Sequence, residues 1–168
     1  MSRSSLRDYQ RELAERLRSA ESGRAASKLG LQVGDDTWLV ELFDAGEVIP
    51  VPPITSVPLT RPWFKGVTNI RGNLYSVVDF SAFLGGAAVR IGEEARLLVV
   101  SERFRAASAL LIDRSLGLRN SAQLRQRPAS GAGHPWVKAE YTDSNGRAWK
   151  ELDMPQLVRH PDFLSVAS

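Results

Sequence analysis

His134 and His160 are the only histidines in this 168-residue chain, and there is no cysteine, so the chemistry open to it is narrow. Disulfides and thiolate metal sites are excluded outright. Neither histidine has a companion at metal-ligand spacing. Each precedes a proline in a loop or terminal context, which fits a turn residue better than a general base. No G-x-S-x-G elbow seats a nucleophilic serine. Gly30, Gly34, Gly85 and Gly86 lack the spacing of a P-loop or dinucleotide fingerprint. Asp35-Asp36 and Glu93-Glu94 are adjacent pairs whose side chains diverge on a strand or turn, so they read as solvated turns and not as a glycosidase dyad. Trp38, Trp63, Trp136 and Trp149 could stack on single-stranded nucleic acid if basic residues lay beside them. No run of Lys or Arg accompanies them, so packing is the better reading. No catalytic residue, metal ligand or cofactor is expected.

Composition agrees with a binding module. Apolar residues make up 43% and charged residues 24%, as in ordinary globular domains. No apolar run approaches the ~20 residues a bilayer requires, and the N-terminus has no apolar stretch of the secretory kind. The absence of cysteine fits a reducing, cytoplasmic setting. The net charge is +3, and all of it lies in residues 1–28, which hold seven Lys/Arg against four Asp/Glu. Residues 29–168 hold fifteen of each, which argues against a nucleic-acid binder despite the basic pI.

The elements follow from periodicity and turn chemistry. Residues 5–22 read as a basic amphipathic helix: Ser5-Leu6-Arg7-Asp8 fits a capping box, and Leu6, Tyr9, Leu13 and Leu17 share one face. This helix is expected to dock on its own domain, with partner binding as the alternative. Residues 29–42 form a hairpin turning at Gly34-Asp35-Asp36. Pro50, Pro52, Pro53, Pro58 and Pro62 make residues 50–62 an extended segment that cannot be a central strand. Strands are expected at 65–71, 73–79, 96–101, 107–113 and 116–120, with a helical turn at 80–84 stopped by Gly85-Gly86. Residues 121–135 read as a long polar loop. Strands at 136–141 and 147–152 flank Asp143-Ser144-Asn145-Gly146, a hairpin signal. Asp153 caps a short helix with Pro155 in its first turn. Many short strands with turns between them indicate a mainly β fold of barrel type.

One segment is specific. Residues 63–80 read Trp-Phe-Lys-Gly-Val-Thr-Asn-Ile-Arg-Gly-Asn-Leu-Tyr-Ser-Val-Val-Asp-Phe. This resembles the signature of the CheW family of chemotaxis coupling proteins, with Gly66, Val67, Asn69, Arg71, Gly72, Val77 and Asp79 in register. A looser resemblance runs from Leu29 to Leu157. The chain departs from the family pattern at Ser76, where proline is usual, and at Ser115, where an apolar residue is common. Its last strand is more polar, and its 121–135 loop is glycine-rich and of unusual length. With the basic N-terminal helix, these features resemble the PilI-type branch, which serves type IV pili and twitching motility. In physical terms, Gly66 and Gly72 permit a bulge or bend, and Asn69 and Asp79 can bond backbone groups at turns. Arg71 is either an exposed contact or a latch to a carboxylate.

The resemblance implies a CheW-like domain at 29–168 after an N-terminal helix and linker at 1–28. It implies two small five-stranded barrel lobes around a shared core, with short C-terminal helices. It also implies an adaptor with two protein partners, the regulatory domain of a CheA-type histidine kinase and the cytoplasmic tip of a methyl-accepting chemoreceptor, and neither nucleic acid nor membrane insertion. Kinase contact is expected near Ile54, Thr55, Lys65 and Gly66. Receptor contact is expected near Glu47, Val48, Arg71 and Val99, in a groove between the lobes. A CheW-like module acting without a kinase is the main alternative; an OB-like nucleic-acid binder is a more distant one.

Overall fold

The computed structural model describes residues 8–18, 27–128, 130 and 133–168. The chain runs through β1 (Ser27–Val33), β2 (Asp36–Glu41), β3 (Ala45–Pro50), β4 (Phe64–Ile70), β5 (Asn73–Asp79), β6 (Arg96–Val100), β7 (Ser108–Ile112), β8 (Arg114–Asn120), β9 (Arg125–Arg127), β10 (Val137–Thr142) and β11 (Ala148–Leu152). Helix α1 (8–18) precedes them. The short helix α2 (Phe80–Phe83) follows β5, and α3 (Met154–Arg159) and α4 (Pro161–Leu164) follow β11.

The strands form two sheets. A five-stranded sheet in the order β3-β6-β7-β5-β4 makes the first lobe, and a six-stranded sheet in the order β8-β1-β2-β11-β10-β9 makes the second. Pairing is antiparallel except for β5 with β7 and β11 with β2. Both sheets must curl. Only residues 121–124 join β8 to β9, the two outer strands of the second sheet. A flat six-stranded sheet would separate them by about 24 Å, whereas the five residue steps from Asn120 to Arg125 reach at most about 18 Å. In the first lobe the chain leaving β3 runs through the prolines to Thr55, which pairs with Val67 on β4 at the opposite edge.

Alternation along the strands then sorts the core. Leu98, Leu110 and Val78 of the first sheet meet Leu29, Leu31, Trp38 and Val40 of the second in a shared core closed by Leu157 and Phe163. The intervening residues Val77, Leu97, Val99, Ala109 and Leu111 turn into the first lobe, against Ile70, Ile49 and Ile54. Strands β6 and β7 are therefore buried on both faces, which explains their unbroken apolar runs. Each fully buried Leu contributes about 1.5–3 kcal/mol relative to exposure.

The inside of the second lobe combines apolar and charged groups: Leu39 and Trp149 are fully buried there beside an ionic cluster. Lys28 Nζ pairs with the buried Glu151 and lies 3.3 Å from Glu41. Tyr141 Oη donates to Glu151 at 3.2 Å, and Lys138 reaches Glu41 at 3.3 Å. Gly30 leaves room for the Trp149 ring, because a Cβ there would lie 3.2 Å from it. Burial alone would lower the Lys28 pKa, but Glu151 and Glu41 outweigh it and raise it above 10.5. Burial likewise opposes ionisation of Glu41, yet Lys28 and Lys138 hold its pKa below the usual carboxylate value.

Three expectations change. The 121–135 stretch is not all loop: it contains a one-turn 3-10 helix, Ser121–Gln123, and strand β9. Strand β9 raises the second sheet from five strands to six. Helix α1 is exposed along its whole length, including Tyr9, Leu13 and Leu17, so its apolar stripe is not docked on the domain. The Ser5-to-Asp8 capping box and the helix ends expected at 5 and 22 lie outside the described residues.

Candidate interaction surfaces

The β4–β5 hairpin carries the signature, and each signature residue has a local task. Arg71 and Gly72 form its two-residue turn, both at positive φ (51° and 87°), as a twist-matched hairpin turn demands. Asn69 Oδ1 accepts from Gly72 N at 2.9 Å and fixes the turn. Gly66 sits at a register shift between β4 and β5, at φ 133°. A Cβ at Gly66 would fall 1.9 Å from the Thr55 carbonyl oxygen. Glycine there lets the proline-rich segment lie against β4, with Thr55 and Val67 exchanging backbone hydrogen bonds at 2.8 and 2.9 Å. Asp79 is fully buried and caps α2, accepting from Ala82 N at 3.0 Å and Val89 N at 2.8 Å. Lys65 Nζ lies 3.9 Å from Asp79 Oδ2. Ser76 N donates to Ala107 O at 2.9 Å, a bond proline could not make.

Of the residues expected to meet a kinase, Thr55 is exposed, Ile54 and Lys65 are half-buried, and Gly66 is buried. Ile54 packs on the interior of the first lobe. The four lie together along the seam where the extended segment joins β4.

The residues expected to meet a receptor divide. Arg71 forms an ion pair with Glu47 across the lobe, and the Arg71 side chain remains 71% exposed. It is thus both of the things the sequence allowed, a latch to a carboxylate and a surface group. Val48 is half-buried against the shared core. Val99, which lies opposite Glu47 in the β3–β6 register, is only 4% exposed. Its side chain packs in the first-lobe interior and does not present itself. Asp44, in the turn before β3, pairs with Arg103. Burial raises the Asp44 pKa more than Arg103 lowers it. The exposed Phe43 and Leu74 lie in the β2–β3 turn and on β5.

Sequence reasoning missed a convergence of aromatic rings. A cleft of about 290 Å³ is lined by Arg61, Trp63, Phe83, His134, Trp136, Asp162 and Ser165. Phe83 meets Trp63, Trp136 and Phe163 at 5.1–5.7 Å between ring centroids. His134 stacks on Trp136 at 4.6 Å, and His160 meets the same indole edge-on at 5.0 Å. The two histidines thus serve packing, and His160 Nδ1 also accepts from Asp162 N at 3.2 Å. None of Glu47, Val48, Arg71 and Val99 lines this cleft. No hydropathy signal could join Trp63 to Trp136, because 73 positions of chain separate them. Among the described residues no group of three His, Asp or Glu side chains could hold a metal ion.

Comparison with known proteins agrees with this architecture. The model of the CheW-like domain matches residues 28–162. The chain is 28% identical over 153 residues to Protein PilI of Pseudomonas aeruginosa, covering 88% of this chain and 83% of that one. It is 26% identical over 97 residues to the chemotaxis protein CheW of Helicobacter pylori, covering 54% and 59% of the two chains. The crystal structure of the scaffolding protein TtCheW from Thermoanaerobacter tengcongensis superposes with a TM-score of 0.63 at 15% identity, covering 76% of this chain and 88% of that chain, and so shares the fold. Proteins of this family are scaffolds and adaptors, not enzymes. A signature hairpin whose residues set a turn, a seam and a cap, within a domain matched from end to end, makes this chain a member of the CheW-like domain family.

Proposed function

We propose that this chain couples methyl-accepting chemoreceptors to a CheA-type histidine kinase, in cytoplasmic arrays recruited to the membrane that control type IV pili and twitching motility. The CheW-like match over 28–162 supports the coupling role, and the 28% identity to PilI supports the pilus branch. No described helix is long and apolar enough to cross a membrane, so recruitment would come through partners. Residues 29–168 would form the adaptor, and residues 1–28 an appended basic helix and linker.

The observation that carries the reading is the arrangement of the first-lobe seam. One end is the Ile54-Thr55 segment against Lys65 and Gly66, where Thr55 is exposed, suited to the kinase regulatory domain. The other end is the Glu47–Arg71 pair, suited to a polar helical tip. Val67 and Arg71 are four residues apart on one hairpin, or about 13 Å of strand. Each contact alone would be modest, and simultaneous contacts raise the effective concentration of the partners.

Calorimetric titration against the kinase regulatory domain tests this. Saturable one-to-one binding is expected, lost in Thr55→Arg while the fold persists; Ile54→Asp would also place a charge against the first-lobe interior. Thr55 is the cleaner probe, because its side chain is exposed. Absence of binding by the native chain at about 100 μM, where weak signalling contacts register, would overturn the kinase assignment and favour a kinase-independent module.

A further inference from the structure

In the first lobe the chain closes its own sheet, with Thr55 on Val67. In the second, among the described residues, β8 pairs only with β1 and β9 only with β10. Each outer strand therefore has no ladder partner on one side, the usual template for an added strand, although on β8 the Leu116 carbonyl and Gly117 amide are met by the Arg119 and Ser115 side chains. Strand β8 is seven residues long and carries the exposed Leu118.

Positive charge predominates along the outer strands. From Arg114 to Ala139 the sequence contains Arg114, Arg119, Arg125, Arg127 and Lys138 and no Asp or Glu. Arg125 and Arg127 are exposed on β9 and enter no ion pair among the described residues. Arg119 and Arg147 hold their guanidinium carbons 5.2 and 6.0 Å from the centre of the Trp149 ring, and Arg119 Nε is buried without a hydrogen-bond partner. Asp143, in the adjoining turn, already accepts from Asn145 N, Arg147 N and Trp149 Nε1.

We propose that this open edge of the second lobe binds an acidic, extended segment of another protein as an additional strand. The ladder continues through backbone hydrogen bonds, and carboxylates meet the arginines. A second copy of this chain would bring the same arginines to the same edge. The chain's own residues 1–28 carry more Lys/Arg than Asp/Glu. Neither supplies the complement. A polynucleotide could neutralise the arginines but could not continue a peptide ladder.

The probe is a fluorescent peptide of about ten alternating Val and Glu residues, long enough to span β8, titrated by anisotropy into the full chain. A Val–Lys peptide and a single-stranded oligothymidylate serve as comparisons. The expected result is saturable binding of the acidic peptide, slowed hydrogen exchange at the amides of residues 114–120, and a loss of about tenfold or more in affinity in Arg125→Glu/Arg127→Glu. Equal or tighter oligothymidylate binding without amide protection would overturn the proposal. So would undiminished peptide binding by the double variant.

Discussion

The two lobes share an outline and differ inside. The first is filled by Ile70, Val77, Leu97, Val99, Ala109 and Leu111, the second by Leu39 and Trp149 around the buried Lys28–Glu151 pair, with Glu41 and Tyr141 at its margin. An apolar interior stabilises without regard to exact partners, because burial of area has no direction. A buried ionic cluster adds little net stability but penalises any arrangement that leaves a charge alone. On this contrast the first lobe should tolerate conservative repacking, and the second should tolerate paired changes but not single ones.

The most damaging single change should fall in the second lobe. Lys28→Met strands Glu151, whose side chain is 2% exposed, and should cost about 3–5 kcal/mol. Urea denaturation of Lys28→Met/Glu151→Met should then recover to within about 1 kcal/mol of the native chain. A double variant no better than the single one would end the comparison. In the first lobe, Leu97→Ala opens a cavity in a fully buried site and should cost about 2–5 kcal/mol, with no second substitution among charged residues able to restore it.

Smaller effects sharpen the contrast. Gly66→Ala sets a Cβ against the Thr55 carbonyl at positive φ. It should cost about 1–3 kcal/mol and weaken partner binding at the Thr55 end of the seam more than at Arg71. A binding map with the reverse order would separate the seam from the kinase surface. The smallest effect concerns pH. The Trp149 indole N–H, with the backbone N–H groups of Arg147 and Asn145, holds the Asp143 carboxyl below its ordinary 3.8. A lowered folded pKa contributes stability above the unfolded value, and that contribution is lost as pH falls through the folded value. The urea midpoint of the native chain should therefore fall more steeply than that of Asp143→Asn as pH drops below about 4. Parallel acid limbs would remove Asp143 from the account.

Much of the fold was legible because it rests on local chemistry. Gly34 and Asp143–Gly146 announce two hairpins, and Asp153 with Pro155 announces α3. The apolar runs of β6 and β7 announce strands. Strand β9 was invisible because Arg125-Gln126-Arg127 is exposed on both faces and carries no alternation. The ionic cluster was invisible for another reason. Glu151 looks like a solvated residue in a polar last strand until the fold brings Lys28 to it across 123 positions. The signature gave the candidate surfaces as residue names, but only the curl of the first sheet joins Arg71 to Glu47 and Thr55 to Val67. Helix α1 shows the limit of periodicity, since an apolar stripe says that something can cover it, not what does.

On the proposed reading, one molecule holds two different partners at two ends of one seam. The direct test is calorimetric titration of the kinase regulatory domain into this protein already saturated with a receptor tip. The account predicts one-to-one binding with an affinity close to that for the free protein. Loss of kinase binding in proportion to receptor occupancy would mean that the two partners compete for one surface, and would contradict it.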